Sequence, residues 1–137
     1  MLGQKLKDIQ IKLIRGLLDI VVLQLLRTHP MHGYQIITSL RKNFGVYFGP
    51  STIYPLLCLL EEKGYIKSQW NLESDRPRKV YNITPQGSDL LNSSEESLGQ
   101  IYRKLTNGFG RILTNENHES LVSTPTNLRK QFSFSRE

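Results

Sequence analysis

Cysteine and tryptophan are almost absent from this 137-residue chain, which contains one of each. A single cysteine excludes an internal disulfide and any zinc site built from several cysteines. Long hydrophobic runs are lacking as well, since the apolar stretch from Leu17 to Leu26 is interrupted by Asp19 and Gln24. A helix needs about 20 apolar residues to cross a bilayer core, so this stretch predicts no membrane span. Because no small-residue cleavage site follows it, we expect no secretory signal and a cytoplasmic protein.

Residue sets that support catalysis are missing too. The sequence offers no nucleophile–base–acid set, no glycine-rich phosphate loop and no cluster of metal ligands. His29 and His32 have a spacing that could suit a metal pair, but Pro30 lies between them and no carboxylate or cysteine is near in sequence. We therefore predict no catalytic residue, no metal and no cofactor, and we expect His32 to cap a helix or to be buried in a turn. A small hydrolase or metal enzyme is the least favoured class of function.

Positive charge is what the chain has in excess, with 18 Lys and Arg against 12 Asp and Glu. The excess lies in the first half: residues 1–60 contain seven basic and two acidic side chains, whereas residues 89–137 contain six of each. A basic balance of this kind favours a polyanionic partner such as nucleic acid. We expect the element that meets this partner to lie in the first half.

The stretch from Pro50 to Trp70 has the pattern of a short helix, a glycine stop and a strand. Its apolar residues recur at helical spacing at Ile53, Leu56, Leu57 and Leu60. Ser51 or Thr52 is predicted to cap the start, with Pro55 at the end of the first turn and Gly64 in the left-handed position after the last. The opposite face is small and polar near the helix start: it carries Ser51, Pro55 and Cys58, with Thr52 and Tyr54 on its flanks. Such a face suits entry into a DNA groove and equally a solvated helix of an interaction domain.

The elements around this stretch complete a mainly α fold with a small β-hairpin. The pattern predicts a helical arm over residues 1–13, a buried helix from Ile14 to Arg27 and a further helix from Gly33 to Phe44. In that further helix Ile37, Leu40 and Phe44 are predicted to face inward, with Arg41 and Lys42 outward. Strands are predicted over residues 65–72 and 80–84, with Ile66, Trp70 and Leu72 on one face of the first. Three helices and a basic hairpin form the plan of a winged helix-turn-helix domain.

A long final helix is predicted to begin at Thr84 and Pro85, a capping threonine followed by proline at the first helical position. Leucine or isoleucine recurs every seven residues, at Leu91, Leu98, Leu105 and Ile112. One helix standing off a small domain cannot bury such a stripe alone, which favours a partner helix. The predicted organisation is therefore a winged helix-turn-helix domain with its arm over 1–83, a dimerisation helix over 84–114 and a polar tail over 115–137.

Five short motifs together resemble the short class of PadR-type transcriptional regulators. They are RG at Arg15, HGYQI from His32, STIYPLL from Ser51, LEEKGYI from Leu60 and RPRKVYNITPQG from Arg76. The resemblance covers about residues 14–113 and depends on the order and spacing of all five. It implies a homodimer, held by the first and last helices, that binds a roughly palindromic operator on double-stranded DNA and usually represses.

The resemblance also implies which residues contact DNA. Ser51, Thr52 and Tyr54 are expected to approach DNA, and the wing residues Arg76, Arg78 and Lys79 are expected to contact the backbone. Independently of the resemblance, Tyr54 is about equally consistent with a half-buried ring that closes the core. Arg41 and Lys42 are expected on the solvated side of their helix, with phosphate contact as the second interpretation.

Two questions stay open in the sequence. Some members of the family release DNA on binding phenolic acids or hydrophobic drugs, so a small hydrophobic or phenolic effector is one alternative here. Ile101, Tyr102 and Phe109 are the candidate lining of its pocket, and plain interface is the other interpretation of the same residues. The rival for the whole chain is a winged-helix module that binds protein or RNA and recognises no operator.

Overall fold

The structure, a computed structural model, describes the backbone of residues 2–113 and the side chains of residues 2–107. Five helices and three strands follow one another in the order α1 Leu2–Gly16, α2 Leu18–Thr28, β1 Met31–His32, α3 Gly33–Phe44, α4 Pro50–Glu62, β2 Ile66–Asn71, β3 Arg78–Ile83 and α5 Pro85–Leu113. This is a winged helix-turn-helix fold with a long C-terminal helix, as the sequence predicts. The chain divides into two compact units, Met1–Leu91 and Asn92–Glu137, with the division inside α5.

The N-terminal segment forms two helices that meet at Leu17. The prediction of a single buried helix from Ile14 to Arg27 was wrong at its start, because α1 continues to Gly16 and α2 begins only at Leu18. Glycine is a poor helix former, which favours a break at this point. The two helices differ in burial: α1 buries no residue, whereas α2 buries Leu18, Val22, Leu23 and Leu26.

Helix α3 has the bounds that the sequence predicts. It starts with a reciprocal pair of bonds in which the His32 side chain accepts from Gln35 N–H and the Gln35 side chain accepts from His32 N–H. It ends at Gly45, which has a φ of 67° in the left-handed region. The inward placement of Phe44 was wrong, since that side chain is 40% exposed while Ile36 is fully buried. The helix ends at Phe44, so its ring lies at the margin of the core.

Helix α4 starts earlier than the sequence predicts. Gly49 is its N-cap and Pro50 its first residue, so neither Ser51 nor Thr52 caps it and no side-chain cap is present. Pro55 consequently lies in the second turn of the helix. Because proline has no N–H, the helical hydrogen bond from residue 55 to the Ser51 carbonyl is missing. The end is as predicted, because Gly64 has a φ of 81°. The apolar stripe is also confirmed, with Ile53, Leu57 and Leu60 buried.

The three strands form an antiparallel sheet in the order β1-β3-β2. Ser68 lies opposite Tyr81 in the hairpin, and Met31 lies opposite Tyr81 on the other side. The two-residue strand β1 was not predicted, because two residues are too few to show the alternation of a strand. Of the predicted apolar face of β2, only Ile66 is buried; Trp70 is 62% exposed.

Helix α5 begins as the sequence predicts. The Thr84 hydroxyl accepts a hydrogen bond from Gly87 N–H at 3.0 Å and donates one to the Gly64 carbonyl at 2.6 Å. In the same turn Thr84 N–H donates to the Tyr65 carbonyl at 3.0 Å. Hydrogen bonds from Thr84 therefore join the start of α5 to the turn between α4 and β2. The predicted polar tail over residues 115–137 lies outside the described residues.

The core of the first unit is a single cluster of apolar side chains from α2, α3, α4 and the sheet, joined by Leu91 of α5. It includes no buried polar or charged side chain among the described residues. Such a core holds α3 and α4 rigidly against the hairpin of β2 and β3, which is the wing of the fold. The position of the exposed face of α4 relative to the wing is therefore fixed.

Candidate nucleic-acid interface

The outer face of α4 is exposed along its length. Ser51, Thr52, Pro55 and Cys58 are all exposed, and Tyr54 is 42% exposed. Apart from the Tyr54 ring these side chains are short, and none of the five is charged, so a polynucleotide can approach the helix closely. The prediction that this face lies opposite the buried apolar stripe of α4 is confirmed.

An open cleft of about 730 Å³ separates this face from the hairpin. It is lined mainly by aromatic and basic side chains from β1, α3, α4, both wing strands and the loop between those strands: His32, Tyr34, Tyr54, Cys58, Trp70, Arg76, Arg78, Lys79 and Tyr81, with Gly33 and Pro77. Of the eight predicted DNA-binding residues, the cleft brings together Tyr54, Arg76, Arg78 and Lys79. Ser51, Thr52, Arg41 and Lys42 are not part of its lining.

Tyr54 packs over the start of α3. A Cβ added to Gly33 would come within 2.6 Å of the Tyr54 ring carbons, so the ring lies directly over this glycine. Both interpretations of Tyr54 thus have a basis: one side of the ring closes against Gly33, and 42% of the residue stays open to solvent. Glycine at position 33 is what allows the ring to lie there.

His32 links the cap of α3 to the wing. Its Nδ1 lies 3.3 Å from Gln35 N, and its Nε2 lies 3.1 Å from an Arg78 guanidinium nitrogen. Burial, and then the positive charge of Arg78, lower the pKa of His32 below its ordinary 6.5. The ring is therefore neutral at neutral pH, and the sequence-based expectation that His32 caps a helix is confirmed.

Glu61 fastens the wing to α4. Its Oε2 accepts hydrogen bonds from Ser68 N–H at 2.7 Å and from the Ser68 hydroxyl at 2.5 Å. Lys79 Nζ lies 3.9 Å from Oε1 of the same carboxylate and 6.0 Å from the centroid of the Trp70 ring. The Ser68 hydroxyl above all, and then its N–H and Lys79, lower the pKa of Glu61, although burial acts in the opposite direction.

Arg41 and Lys42 lie in the last turn of α3 and are exposed, as predicted. The Arg41 guanidinium carbon lies 5.9 Å from the centroid of the Tyr47 ring, within range of a cation–π contact. The two residues form a basic site apart from the cleft lining, at the end of the helix that precedes α4.

The candidate effector residues lie on the second part of α5. Ile101 is 54% exposed and Tyr102 is 41% exposed, while the Phe109 side chain lies outside the described residues. Within residues 2–113 no three His, Cys, Asp or Glu side chains are grouped to hold a metal ion. No helix in the same range is long and apolar enough to span a membrane.

A match to the model of a protein family shows which family this chain belongs to. Residues 22–93, more than half of the chain, match the model of the "Transcriptional regulator PadR-like family". The match runs from α2 through the first turns of α5 and includes α4 and the wing. This chain belongs to the PadR-like family of transcriptional regulators.

Individual relatives agree with the assignment. A Mycobacterium tuberculosis transcriptional regulator is 31% identical over 78 residues, which cover 57% of this chain and 72% of the relative. The solved structure of a PadR family transcriptional regulator from Eggerthella lenta has a TM-score of 0.65 and 31% identity, and the match covers 84% of this chain and 96% of that one. A transcriptional regulator from Clostridium thermocellum matches with a TM-score of 0.62 and 31% identity over 72% of this chain and 97% of its own.

Membership of the PadR-like family has two consequences for the predictions. The chain is a transcriptional regulator, whose family function is DNA-binding regulation, and it is not an enzyme. The resemblance drawn from the five motifs is therefore confirmed.

Sequence reasoning did not place His32, Tyr34, Trp70 or Tyr81 in the candidate interface, although all four line the cleft. His32 was considered only as a metal ligand, a cap or a buried residue, and Trp70 only as part of a strand face. The spacing of His32 and Gln35 is the sequence signal of a reciprocal cap, but the contact with Arg78 joins residues 46 positions apart. Only the folded hairpin brings those two together.

Proposed function

We propose that this PadR-like regulator is a homodimer that represses transcription by binding a roughly palindromic operator. The observation that carries the proposal is the cleft between α4 and the wing, where Tyr54 and Cys58 of the exposed α4 face lie beside Arg76, Arg78 and Lys79. The short side chains of Ser51 and Thr52, exposed near the start of α4, allow close approach to base edges, and the arginine forks in the cleft suit phosphate oxygens. The cytoplasm is the compartment that we propose for this function.

In the proposed complex, α4 enters the major groove and the wing follows the adjacent backbone. Ser51, Thr52 and Tyr54 face the bases or their flanking phosphates, and Arg76, Arg78 and Lys79 contact phosphates. Arg41 and Lys42, at the end of α3, are placed second as backbone contacts because they are exposed but lie away from the cleft lining. In this complex the phosphate contacts set the orientation of the protein on DNA, and the contacts from α4 set its preference for a DNA sequence.

Exposed apolar side chains on α1 support the proposed dimer. Leu2, Leu6, Ile9 and Leu13 are between 54% and 74% exposed and follow one another at spacings of four, three and four residues. This spacing puts all four on one face of the helix. An apolar stripe left open along a whole helix is what a partner helix would cover.

A second stripe lies on α5. Leu98, Ile101, Tyr102 and Leu105 are between 37% and 54% exposed. We propose that both stripes are buried between two copies of the chain. Two copies of α4 would then enter successive major grooves about 34 Å apart.

A small hydrophobic or phenolic effector is proposed as the signal that releases DNA. Ile101 and Tyr102 are half-exposed apolar residues on the proposed dimer helix, and Phe109 is the third candidate. Substitution of Tyr102 by alanine is expected to abolish release of the operator by such an effector.

Selection of bound DNA from a random pool tests the proposed function. An inverted repeat with half-sites about one helical turn apart is the expected result, together with a two-chain mass in light scattering. Recovery of no DNA motif, with a one-chain mass, would contradict the proposal and favour a winged-helix module that binds protein or RNA.

A further inference from the structure

His32 faces two hydrogen-bond donors at once. Gln35 N–H points at its Nδ1 across 3.3 Å, and the Arg78 guanidinium points at its Nε2 across 3.1 Å. The bond to Gln35 is half of the reciprocal cap that starts α3. The bond to Arg78 connects the same ring to the first residue of β3.

A histidine ring cannot accept both bonds. Neutral imidazole has one nitrogen that accepts and one that carries a proton, and the protonated ring has no acceptor at all. If Nδ1 caps α3, then Nε2 carries a hydrogen that faces a guanidinium donor. If Nε2 accepts from Arg78, then Nδ1–H faces Gln35 N–H. The contact between His32 and Arg78 therefore competes with the cap.

A phosphate in the cleft would end this competition. Arginine binds phosphate oxygens through two parallel N–H donors, and such charge-assisted bonds are stronger than a bond to a neutral imidazole nitrogen. Once Arg78 turns to the phosphate, Nδ1 can cap α3 without a rival and Nε2–H is left facing the cleft. The other charged or titratable groups lining the cleft are Arg76, Lys79, Tyr34, Tyr54, Cys58 and Tyr81.

We propose that His32 is a further phosphate-contacting residue of the interface, and that DNA selects its Nε2–H tautomer by drawing Arg78 away from the ring. This inference rests on the proposed DNA-binding function and adds to it a named donor atom. His32 then couples the wing to α3: the residue that caps the helix also donates to the backbone that the wing contacts.

Two substitutions at position 32 test the roles of Nδ1 and Nε2 separately. In His32→Asn the amide oxygen replaces Nδ1 as the cap, but no donor reaches the position of Nε2. In His32→Gln the amide nitrogen can reach the Nε2 position, but the short cap is lost. We expect His32→Asn to keep its Tm and to bind the selected operator about tenfold more weakly, the loss of one hydrogen bond to a charged group. We expect His32→Gln to melt several degrees lower and to keep most of its affinity.

Nitrogen NMR of the chain with 15N-labelled histidine reads the tautomer directly. The chain has three histidines, and the His32→Asn spectrum identifies the pair of signals from residue 32. With the operator added, Nε2 is expected at the shift of a protonated ring nitrogen and Nδ1 at that of an unprotonated one.

The inference and the proposed function fail in different ways. If the wild-type chain selects no DNA, the proposed function fails. If the wild-type chain binds its operator while His32→Asn binds equally well, or while DNA leaves His32 with its proton on Nδ1, the proposed function stands and the inference is overturned.

Discussion

The Glu61 carboxylate and Ser68 join α4 to the edge of the sheet, through bonds of 2.7 Å from Ser68 N–H and 2.5 Å from its hydroxyl. Ser68 lies on β2, an outer strand of the sheet. An N–H on an outer strand is open to pairing with another chain, and here a carboxylate from the same chain covers it. Glu61 therefore both sets the wing against the proposed reading helix and blocks part of a sheet edge.

Substitution of Glu61 by glutamine is expected to lower the free energy of unfolding by about 1 kcal/mol, because a charge-assisted acceptor becomes a neutral one. The Lys79 ammonium also loses its partner carboxylate at 3.9 Å. Urea unfolding of both chains measures the difference. Glu62→Gln is the matched control: the next residue on α4 is exposed, and its substitution is expected to change stability by less than about 0.5 kcal/mol. Equal losses in the two variants would show that the negative charge of Glu61 adds nothing to its contacts with Ser68 and Lys79.

Stability is expected to fall with acid in two steps, because the pKa of His32 and the pKa of Glu61 are both lowered in the fold. A lowered pKa means that the folded state disfavours the proton, so each group stabilises the fold above its unfolded pKa. The His32 contribution is lost as pH falls below 6.5, and the Glu61 contribution as pH falls below 4.5. Melting temperature measured from pH 8 to pH 3 tests this. His32→Asn should flatten the upper step and Glu61→Gln the lower one; a step that persists in its variant has another cause.

The elements with strong local signals could be predicted from the sequence. Helix α3 has both bounds correct because a capping residue precedes it and Gly45 follows it. The stripe that α4 buries is correct as well, since Ile53, Leu57 and Leu60 follow helical spacing. The start of α4 was wrong because Gly49 and Pro50 form an N-terminus without any side-chain cap, and the prediction relied on a capping side chain.

What the sequence could not give is the set of contacts made between elements. The pair of His32 and Arg78 and the bonds of Glu61 to Ser68 depend on how the hairpin folds back over α4, which no local pattern records. The two-residue strand β1 exists only because Met31 and His32 pair with Tyr81 and Val80. The family resemblance supplied most of the candidate DNA-contacting residues, and the fold shows which side chains they contact.

Gly87 is expected to tolerate no side chain. A Cβ at this position would overlap the Tyr65 carbonyl oxygen and come within 2.8 Å of an Ile83 side-chain carbon. Gly87→Ala should therefore destabilise the fold by about 1–3 kcal/mol, although alanine is the better helix former. Gly16→Ala is the control, since nothing lies within 4 Å of a Cβ at the end of α1. Urea unfolding of the two variants compares them, and a Gly87→Ala chain as stable as wild type would show that α5 can move away from Tyr65.

Arg78 is expected to contribute to DNA affinity through its positive charge and not through recognition of bases. Arg78→Ala should weaken binding to operator and to unrelated DNA by similar factors, because a phosphate contact carries no sequence information. It should also reduce the slope of log K against log[salt] by about one, since one fewer phosphate is neutralised. Filter binding or fluorescence anisotropy over a range of salt concentrations measures both quantities. Lys67→Ala removes the same charge from an exposed position of β2 that does not line the cleft, and its slope should change less. If the two variants share one slope, Arg78 acts only through net charge and contacts no particular phosphate.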